Sequence, residues 1–315
     1  MGRSCGSIFH PMARPLIRVP VPRNFAFEPT VRSHGWYLLE PYRWDRANGT
    51  LHRVEQLGRS VFELQIRQRG NALEIASDRE LGPTHQRELH RKLARMFQLD
   101  LDIEEFARLS SDSETHRWVA LTGFGRMLCG ATRFEDAVKI IATTNTTWKQ
   151  TMRMVELLVS ELGARSKGGA PAFPSPSRIA SASVEQLREH CRLGYRATTI
   201  HALARGVSDG AIDLDALHDP SADAAGQLLA WRTLPGIGPY GAAHMMALDG
   251  RHDFIAVDTE FRRFVRERYH RGRAVADATM LRRYARWGRW KYLAYWAELW
   301  ESAADSLVKY ETPSE

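Results

Sequence analysis

Seven residues, Leu-Pro-Gly-Ile-Gly-Pro-Tyr at 234–240, constrain this chain more than any other stretch. The preceding segment, 224–234, carries apolar residues at helical spacing: Leu228, Leu229, Trp231 and Leu234. Pro235 and Gly236 stop that helix, because proline donates no hydrogen bond and glycine takes left-handed angles cheaply. Ile237 is left between two glycines as a lone apolar plug. Pro239 suits the first position of a second helix, running to Leu248. Such a helix opens with unpaired N–H groups at the positive end of its dipole, a ready anion site. The run is therefore either a tight link between two packed helices or a cradle for a phosphate, with Gly236, Ile237, Gly238 and Gly241 closest to the ligand.

Twenty residues beyond Gly238 stands the carboxylate of Asp258, in DFIAVDTEFRRFVRER. Phe254 to Val257 is a short apolar stretch that buries itself, and a new helix begins after it. Aspartate is a favoured N-cap, worth about 1 kcal/mol over alanine. Thr259 is also suited to cap, which would leave the Asp258 carboxylate to face a pocket.

Together, L-P-G-I-G-x-Y-x-A and V-D-T-x-F-x-R resemble the helix-hairpin-helix (HhH-GPD) superfamily of DNA glycosylases, nearest to the 3-methyladenine and 8-oxoguanine branch. The likeness covers roughly residues 120–300. It implies that the hairpin grips the strand beside a lesion and that Asp258 serves the chemistry. Residues 134–163 resemble the family's first helical pair, where a polar residue at the junction fills the gap left by a flipped base. Asn145 stands at that junction, as that filler or as the cap of a helix beginning near Thr146; Trp148 is a neighbouring candidate. In 173–207, L-G-Y-R leads into a helix, and Tyr195 and Arg196 match there.

Strand-cutting members of the family place a lysine where this chain has Tyr240; that lysine attacks the sugar as a Schiff-base nucleophile. The segment 239–248 contains no lysine. The resemblance therefore implies a monofunctional enzyme, with Tyr240 stacking on the extruded base or simply packing its helix. An electron-rich ring favours a cationic alkylated purine by roughly 0.5–2 kcal/mol. Two alternatives stay open: an oxidised-purine glycosylase, and a DNA-binding protein without catalysis. Candidate walls for the base are Trp36, Tyr37, Phe124, Trp148, Tyr195 and His244.

The iron–sulfur branches of the family need four closely spaced cysteines after this region. Only Cys5, Cys129 and Cys191 are present, none beyond Asp258, and no Cys/His spacing suits zinc. Neither metal nor cofactor is expected. No apolar run approaches the length of a membrane span, and the first fifteen residues lack an apolar signal core. The expected setting is the cytoplasm, on the nucleoid, or the nucleus if the source is eukaryotic.

Charge supports a polyanionic partner. From Arg262 to Lys291, ten arginines and one lysine stand against Glu267 and Asp277, a net of +9, beside +7 for the whole chain. Arg262 and Arg263 lead that run and are the first candidates for phosphate contacts. The aromatic end, 284–300, has core-like spacing, and some of its arginines are expected to stack on Trp287, Trp290 or Tyr292.

The expected fold class is α+β. Residues 16–78 are strand-like (LIRVPV, GWYLLE, TLHRV, SVFELQIRQ, ALEIAS), with an Asn48-Gly49 turn, and predict an antiparallel sheet. From Pro83 the pattern is helical, with a Gly/Pro/Ser link at 166–177. The expected division is a flexible arm at 1–15, a β-rich domain with a helical extension at 16–110, and a two-lobed helical glycosylase domain at 111–315. The expected partner is double-stranded DNA carrying a damaged base, bound by a monomer.

Overall fold

Alternating apolar and charged residues between 50 and 77 fold as three long antiparallel strands joined by glycine turns. In the computed structural model, which describes residues 17–219 and 221–308, these are β3 (Thr50–Leu57), β4 (Ser60–Arg69) and β5 (Ala72–Ser77). The arm expected at 1–15 and Cys5 lie outside the described residues. β1 (Ile17–Pro20) adds to β5 and β2 (Tyr42–Asp45) to β3, giving the order β1-β5-β4-β3-β2. Leu51, Ile66 and Ile75 fall in one cross-strand row, all fully buried. The turn at Asn48-Gly49 forms as expected: the Asn48 backbone N–H and side chain both donate to Asp45 (3.1 and 2.7 Å), and Gly49 takes a positive φ.

One expected strand does not form. GWYLLE is a 3-10 turn, Gly35–Leu38, and the second strand lies beyond it at Tyr42–Asp45. Trp36, Tyr37 and Leu39 are all buried. A strand would send Trp36 and Tyr37 to opposite faces, so only a coiled backbone hides both rings together.

Helices follow. Before and beside the sheet are α1 (Phe27–Val31), α2 (Pro83–Met96), α3 (Glu104–Ser111) and α4 (Arg117–Thr122). The main helical part comprises α5 (Arg133–Thr143), α6 (Trp148–Leu162), α7 (Pro176–Ala180), α8 (Val184–Glu189) and α9 (Arg196–Ser208). It continues with α10 (Ala224–Trp231), α11 (Pro239–Leu248), α12 (Thr259–His270), α13 (Asp277–Arg282) and α14 (Lys291–Val308). An apolar core runs unbroken from Val19 in β1 to Leu299 in α14. Helix α11 is buried from Gly241 to Leu248, with His244 as the one polar side chain in that run.

The sheet is fastened to α5 by buried charge. Arg53 of β3 makes a paired contact with Glu135 of α5 (2.7 and 3.1 Å) and a third with Glu55 (2.6 Å). Lys92 of α2 completes Glu55 (2.8 Å), and Lys139 completes Glu135 (2.7 Å). Burial would raise the Glu135 carboxyl, but Arg53 and Lys139 overcome it and hold the group well below its ordinary range. Removing one member would strand its partner without solvent, at about 3–5 kcal/mol. The next residue, Asp136, accepts from the Trp36 indole N–H (2.7 Å), so α5 also holds the 3-10 turn in place.

Candidate nucleic-acid interface and active site

The hairpin is built as the sequence dictates. Asp223 caps α10 by accepting from the Gly226 N–H (2.8 Å), and α11 begins at Pro239. Three glycines have three different tasks. Gly236 has φ +76, and a methyl group there would drive into Thr199 and approach Ile141 to 3.3 Å. Gly241 is buried, with its face against Ile140 and Ile237; a Cβ would lie 3.1 and 3.4 Å from them. Gly238 alone faces open space, where an added methyl group would meet no atom within 4 Å. Ile237 is buried as the plug, while Gly236, Gly238 and Pro239 are exposed. The first helical bond of α11 runs from the Ala242 N–H to the Gly238 carbonyl (2.9 Å). The N–H groups of Gly238, Tyr240 and Gly241 precede it, at the positive end of the helix.

Asp258 itself caps α12. Its Oδ1 accepts from the Phe261 N–H (2.7 Å), and Thr259 is the exposed first helical residue. Of the two candidate caps, Asp258 is the one used: it has the extended backbone (φ −124, ψ −171) that a cap requires. The Phe261 bond uses Oδ1, and the Asp258 and Glu260 backbone N–H groups add to the stabilisation of the carboxylate. The half-buried carboxyl is pushed up by desolvation, opposed by the Phe261 N–H, with Glu260 adding to the rise. After burial, the charge of Asp258 is the next cause that lifts the Tyr240 hydroxyl, to about 12. It also contributes to the rise of Tyr292 and Tyr295. Asp258 thus sits among neutral phenols.

One turn beyond Tyr240 on the same face of α11, His244 lies nearly parallel to its ring (6.0 Å, 19°). Around His244 stand Trp36 (5.4 Å), His34 (5.8 Å), Trp296 (6.0 Å) and Tyr292 (6.2 Å). Trp148, the first residue of α6, packs its ring on Gly35, where any side chain would collide with it. Of the expected walls, Trp36, His244 and Trp148 are brought to Tyr240's side of the molecule. Tyr37 is buried in the core, and Phe124 packs on Trp118 (5.1 Å). His34 and Trp296 were not foreseen; neither belongs to a motif, and both reach the cluster only through the tertiary fold.

Tyr195 stands apart from the cluster around His244, on the surface. It is 61% exposed, with the Asn145 amide at 3.5 Å from its hydroxyl. As the residue before α9 it stays outside, stacked under Arg196 (4.5 Å). Asn145 does not cap α6: Thr147 does, in a capping box with Gln150. Asn145 is exposed, with φ +48, its backbone carbonyl held by Arg196 (3.3 Å). Because Gly236 abuts Thr199 of α9 and Ile141 of α5, the hairpin, Asn145 and Tyr195 share one end of the helical part.

Arg262 and Arg263 do not stand ready for phosphates. Arg262 grips Asp277 with two bonds (2.9 and 2.8 Å), and Arg263 is paired with both Glu260 and Glu267. Acids within a turn of Arg263 neutralise it locally, and Asp277 is brought back by the turn after α12. Elsewhere in the run, Arg283 stacks on Tyr269 (3.1 Å), Arg286 on Trp287 (5.3 Å) and Arg289 on Trp290 (4.8 Å). Trp287, Trp290 and Tyr292 are core. Exposed arginines remain at 271, 273 and 282.

A separate cavity lies elsewhere. About 990 Å³ in volume, it is lined by Arg95, Arg133, His218, Asp249 and Asp253, at the opposite end of α11. That is about 13 Å along the helix from Tyr240. Among the described residues no group of three His, Cys, Asp or Glu side chains is placed to hold a metal ion, and no helix is long and apolar enough to cross a membrane.

The sequence profile of the HhH-GPD superfamily, base excision DNA repair proteins, matches residues 138–290, from within α5 to the end of the 3-10 turn before α14. Residues 138–290 belong to that superfamily. No curated protein sequence matches the chain. Among solved structures, MBOgg1 in complex with a low-affinity DNA ligand is similar at TM-score 0.72 and 20% identity, over 92% of this chain and 96% of that one. The 3-methyladenine DNA glycosylase from Archaeoglobus fulgidus has TM-score 0.72 and 20% identity, over 91% of this chain and 98% of that one. The Clostridium acetobutylicum 8-oxoguanine glycosylase/lyase, bound to DNA with cytosine opposite 8-oxoG, has TM-score 0.69 and 17% identity, over 90% and 93%. At these identities the likeness is one of fold, and it extends over the sheet as well as the HhH-GPD region.

Proposed function

We propose that this HhH-GPD protein is a monofunctional DNA glycosylase that turns an alkylated purine out of the duplex and hydrolyses its N-glycosidic bond. The observation that carries the reading is the placement of Asp258 at the start of α12, its Oδ1 held by the Phe261 N–H, near enough to Tyr240 on the helix after the hairpin for its charge to raise that hydroxyl. In this reading the N–H groups of Gly238, Tyr240 and Gly241 hold one phosphate, and the DNA lies across a cleft between two helical lobes. Asn145, on the same end, fills the space left by the extruded nucleotide. Extrusion costs a few kcal/mol and is cheapest for weakly paired bases.

As the glycosidic bond breaks, positive charge develops on the sugar. An ionised Asp258, held by the Phe261 N–H at the start of α12, stabilises that charge or orients a water. Helix α11 offers tyrosine and no lysine, so no Schiff base forms from it and the product is an abasic site. The protein acts as a monomer on double-stranded DNA.

The test is a set of duplexes, each with one defined lesion, scored for abasic sites and for borohydride-trapped adducts. Release of an alkylated purine without a trapped adduct is expected. A trapped protein–DNA species would overturn the monofunctional assignment, and release confined to 8-oxoguanine would overturn the substrate class.

A further inference from the structure

Two buried histidines near Tyr240 each have a ring nitrogen with no partner among the described residues: Nδ1 of His34 and Nε2 of His244. Both side chains are almost fully buried, at 2% and 3% exposure. Buried polar atoms are nearly always satisfied, so two orphans in one aromatic cluster beside Tyr240 mark a place for a bound water or for the polar edge of a ligand. The rings lie 5.8 Å apart, edge to face, with Trp36 against both (4.8 and 5.4 Å).

The protons on these rings follow from their other contacts. His34 Nε2 lies 2.6 Å from the Leu128 carbonyl, which can only accept, so Nε2 carries the hydrogen and Nδ1 is a bare acceptor. His244 Nδ1 lies 2.8 Å from the Tyr292 hydroxyl. That phenol has no other acceptor within reach among the described residues, so it donates to Nδ1 and leaves Nε2–H as a donor. Burial keeps both rings neutral, His34 well below its ordinary value and His244 at about 4. The cluster therefore offers one donor and one acceptor, on rings whose centres lie 5.8 Å apart.

Resting on the glycosylase reading above, we infer that His244 and His34 read the Watson–Crick edge of the flipped base and select purines in which that edge is intact. Guanine-type edges present O6 beside N1–H, and adenine-type edges present N1 beside an N6–H. Either pattern supplies one acceptor for His244 Nε2–H and one donor for His34 Nδ1. Alkylation at N3 or N7 leaves the pattern untouched. A ring fused across N1 and N6 removes its donor and blocks the contact. Tyr292 is a positioning residue in this scheme, because its hydroxyl sets the His244 tautomer.

Single-turnover excision from duplexes carrying 7-methylguanine, 3-methyladenine or 1,N6-ethenoadenine tests the inference. Quenching of tryptophan fluorescence by free 7-methylguanine and by free 1,N6-ethenoadenine gives a readout independent of bond cleavage. The intact-edge bases should be excised and bound at least ~10-fold better than the etheno base, the effect of stranding one or two buried polar groups. His244→Phe should lower excision of the intact-edge bases by roughly 10- to 100-fold with abasic-DNA binding retained. Tyr292→Phe, which removes only a hydroxyl, should erode the same preference and covers the case in which His244→Phe does not fold. Equal handling of the etheno base, or full discrimination in Tyr292→Phe, would overturn the inference while leaving the glycosylase reading intact. Edge-selective binding of free bases without excision of any lesion would do the reverse.

Discussion

Gly236 and Gly238 differ by two positions, yet a methyl group on each should act on a different property. At Gly236 the backbone is left-handed, which costs an alanine about 1–2 kcal/mol. The new Cβ also intrudes on Thr199 and Ile141, an overpacking of about 1–3 kcal/mol. Reduced freedom of the unfolded chain returns about 0.4–1 kcal/mol. Gly236→Ala is thus expected to lose about 1–5 kcal/mol, a fall in Tm of roughly 2–7 °C for a chain of this length. At Gly238 φ is −81 and the Cβ meets nothing, so Gly238→Ala should melt with the wild type or slightly above it. Its methyl group stands instead where a phosphate must approach the N–H groups, and should weaken binding to an abasic-site duplex by about tenfold, or about 1.4 kcal/mol. Circular-dichroism melting and fluorescence anisotropy at one fixed salt concentration separate the two effects. Equal Tm for Gly236→Ala and wild type would refute the packing argument. Wild-type DNA affinity in a normally folded Gly238→Ala would refute the phosphate cradle.

Two pH effects should follow from burial. Asp258 acts ionised, and desolvation raises its pKa, so the excision rate should fall on acidification in a limb centred above the ordinary value of 3.8; a rate flat to pH 4 would contradict this. His244 and His252 are buried with pKa values of about 4 and about 3, against 6.5 unperturbed. Their depressed values mean that the unfolded chain takes up protons first: stability is full above pH 6.5 and declines as pH falls toward those values. At pH 5 each should cost about 2 kcal/mol. Urea midpoints at pH 7.5 and pH 5 measure the loss, and His252→Phe, which keeps the stack on Trp290 and Tyr292, should reduce it. An unchanged midpoint across that range would exclude the effect.

The hairpin was legible because proline and glycine act locally: Gly236, Pro239 and the bounds of α11 follow from backbone chemistry alone. The antiparallel sheet was legible from alternation, except at Trp36-Tyr37, where burial of adjacent rings overrode the strand pattern. The choice between Asp258 and Thr259 as cap depends on a one-residue shift in helix start, which periodicity does not resolve. The pairing of Arg263 was open to sequence reasoning, since Glu260 and Glu267 stand at i−3 and i+4. That of Arg262 was less so, because Asp277 returns only through the turn after α12. His34 was invisible: it meets His244 across 210 positions, and nothing in its neighbourhood announces a ligand-facing ring. The exposure of Tyr195 was not legible for a related reason, because an aromatic residue just before a helix can face either way.

The most direct test of the central claim is Asp258→Asn. Asparagine caps a helix about as well as aspartate, so the start of α12 and the Phe261 contact should survive and only the charge is lost. Base release from a lesion duplex should fall by at least ~10³-fold, the scale of losing one preorganised electrostatic group, while Tm and abasic-DNA affinity stay near wild type. Base release at the wild-type rate, or a parallel loss of fold and binding, would show that Asp258 is a helix cap and nothing more.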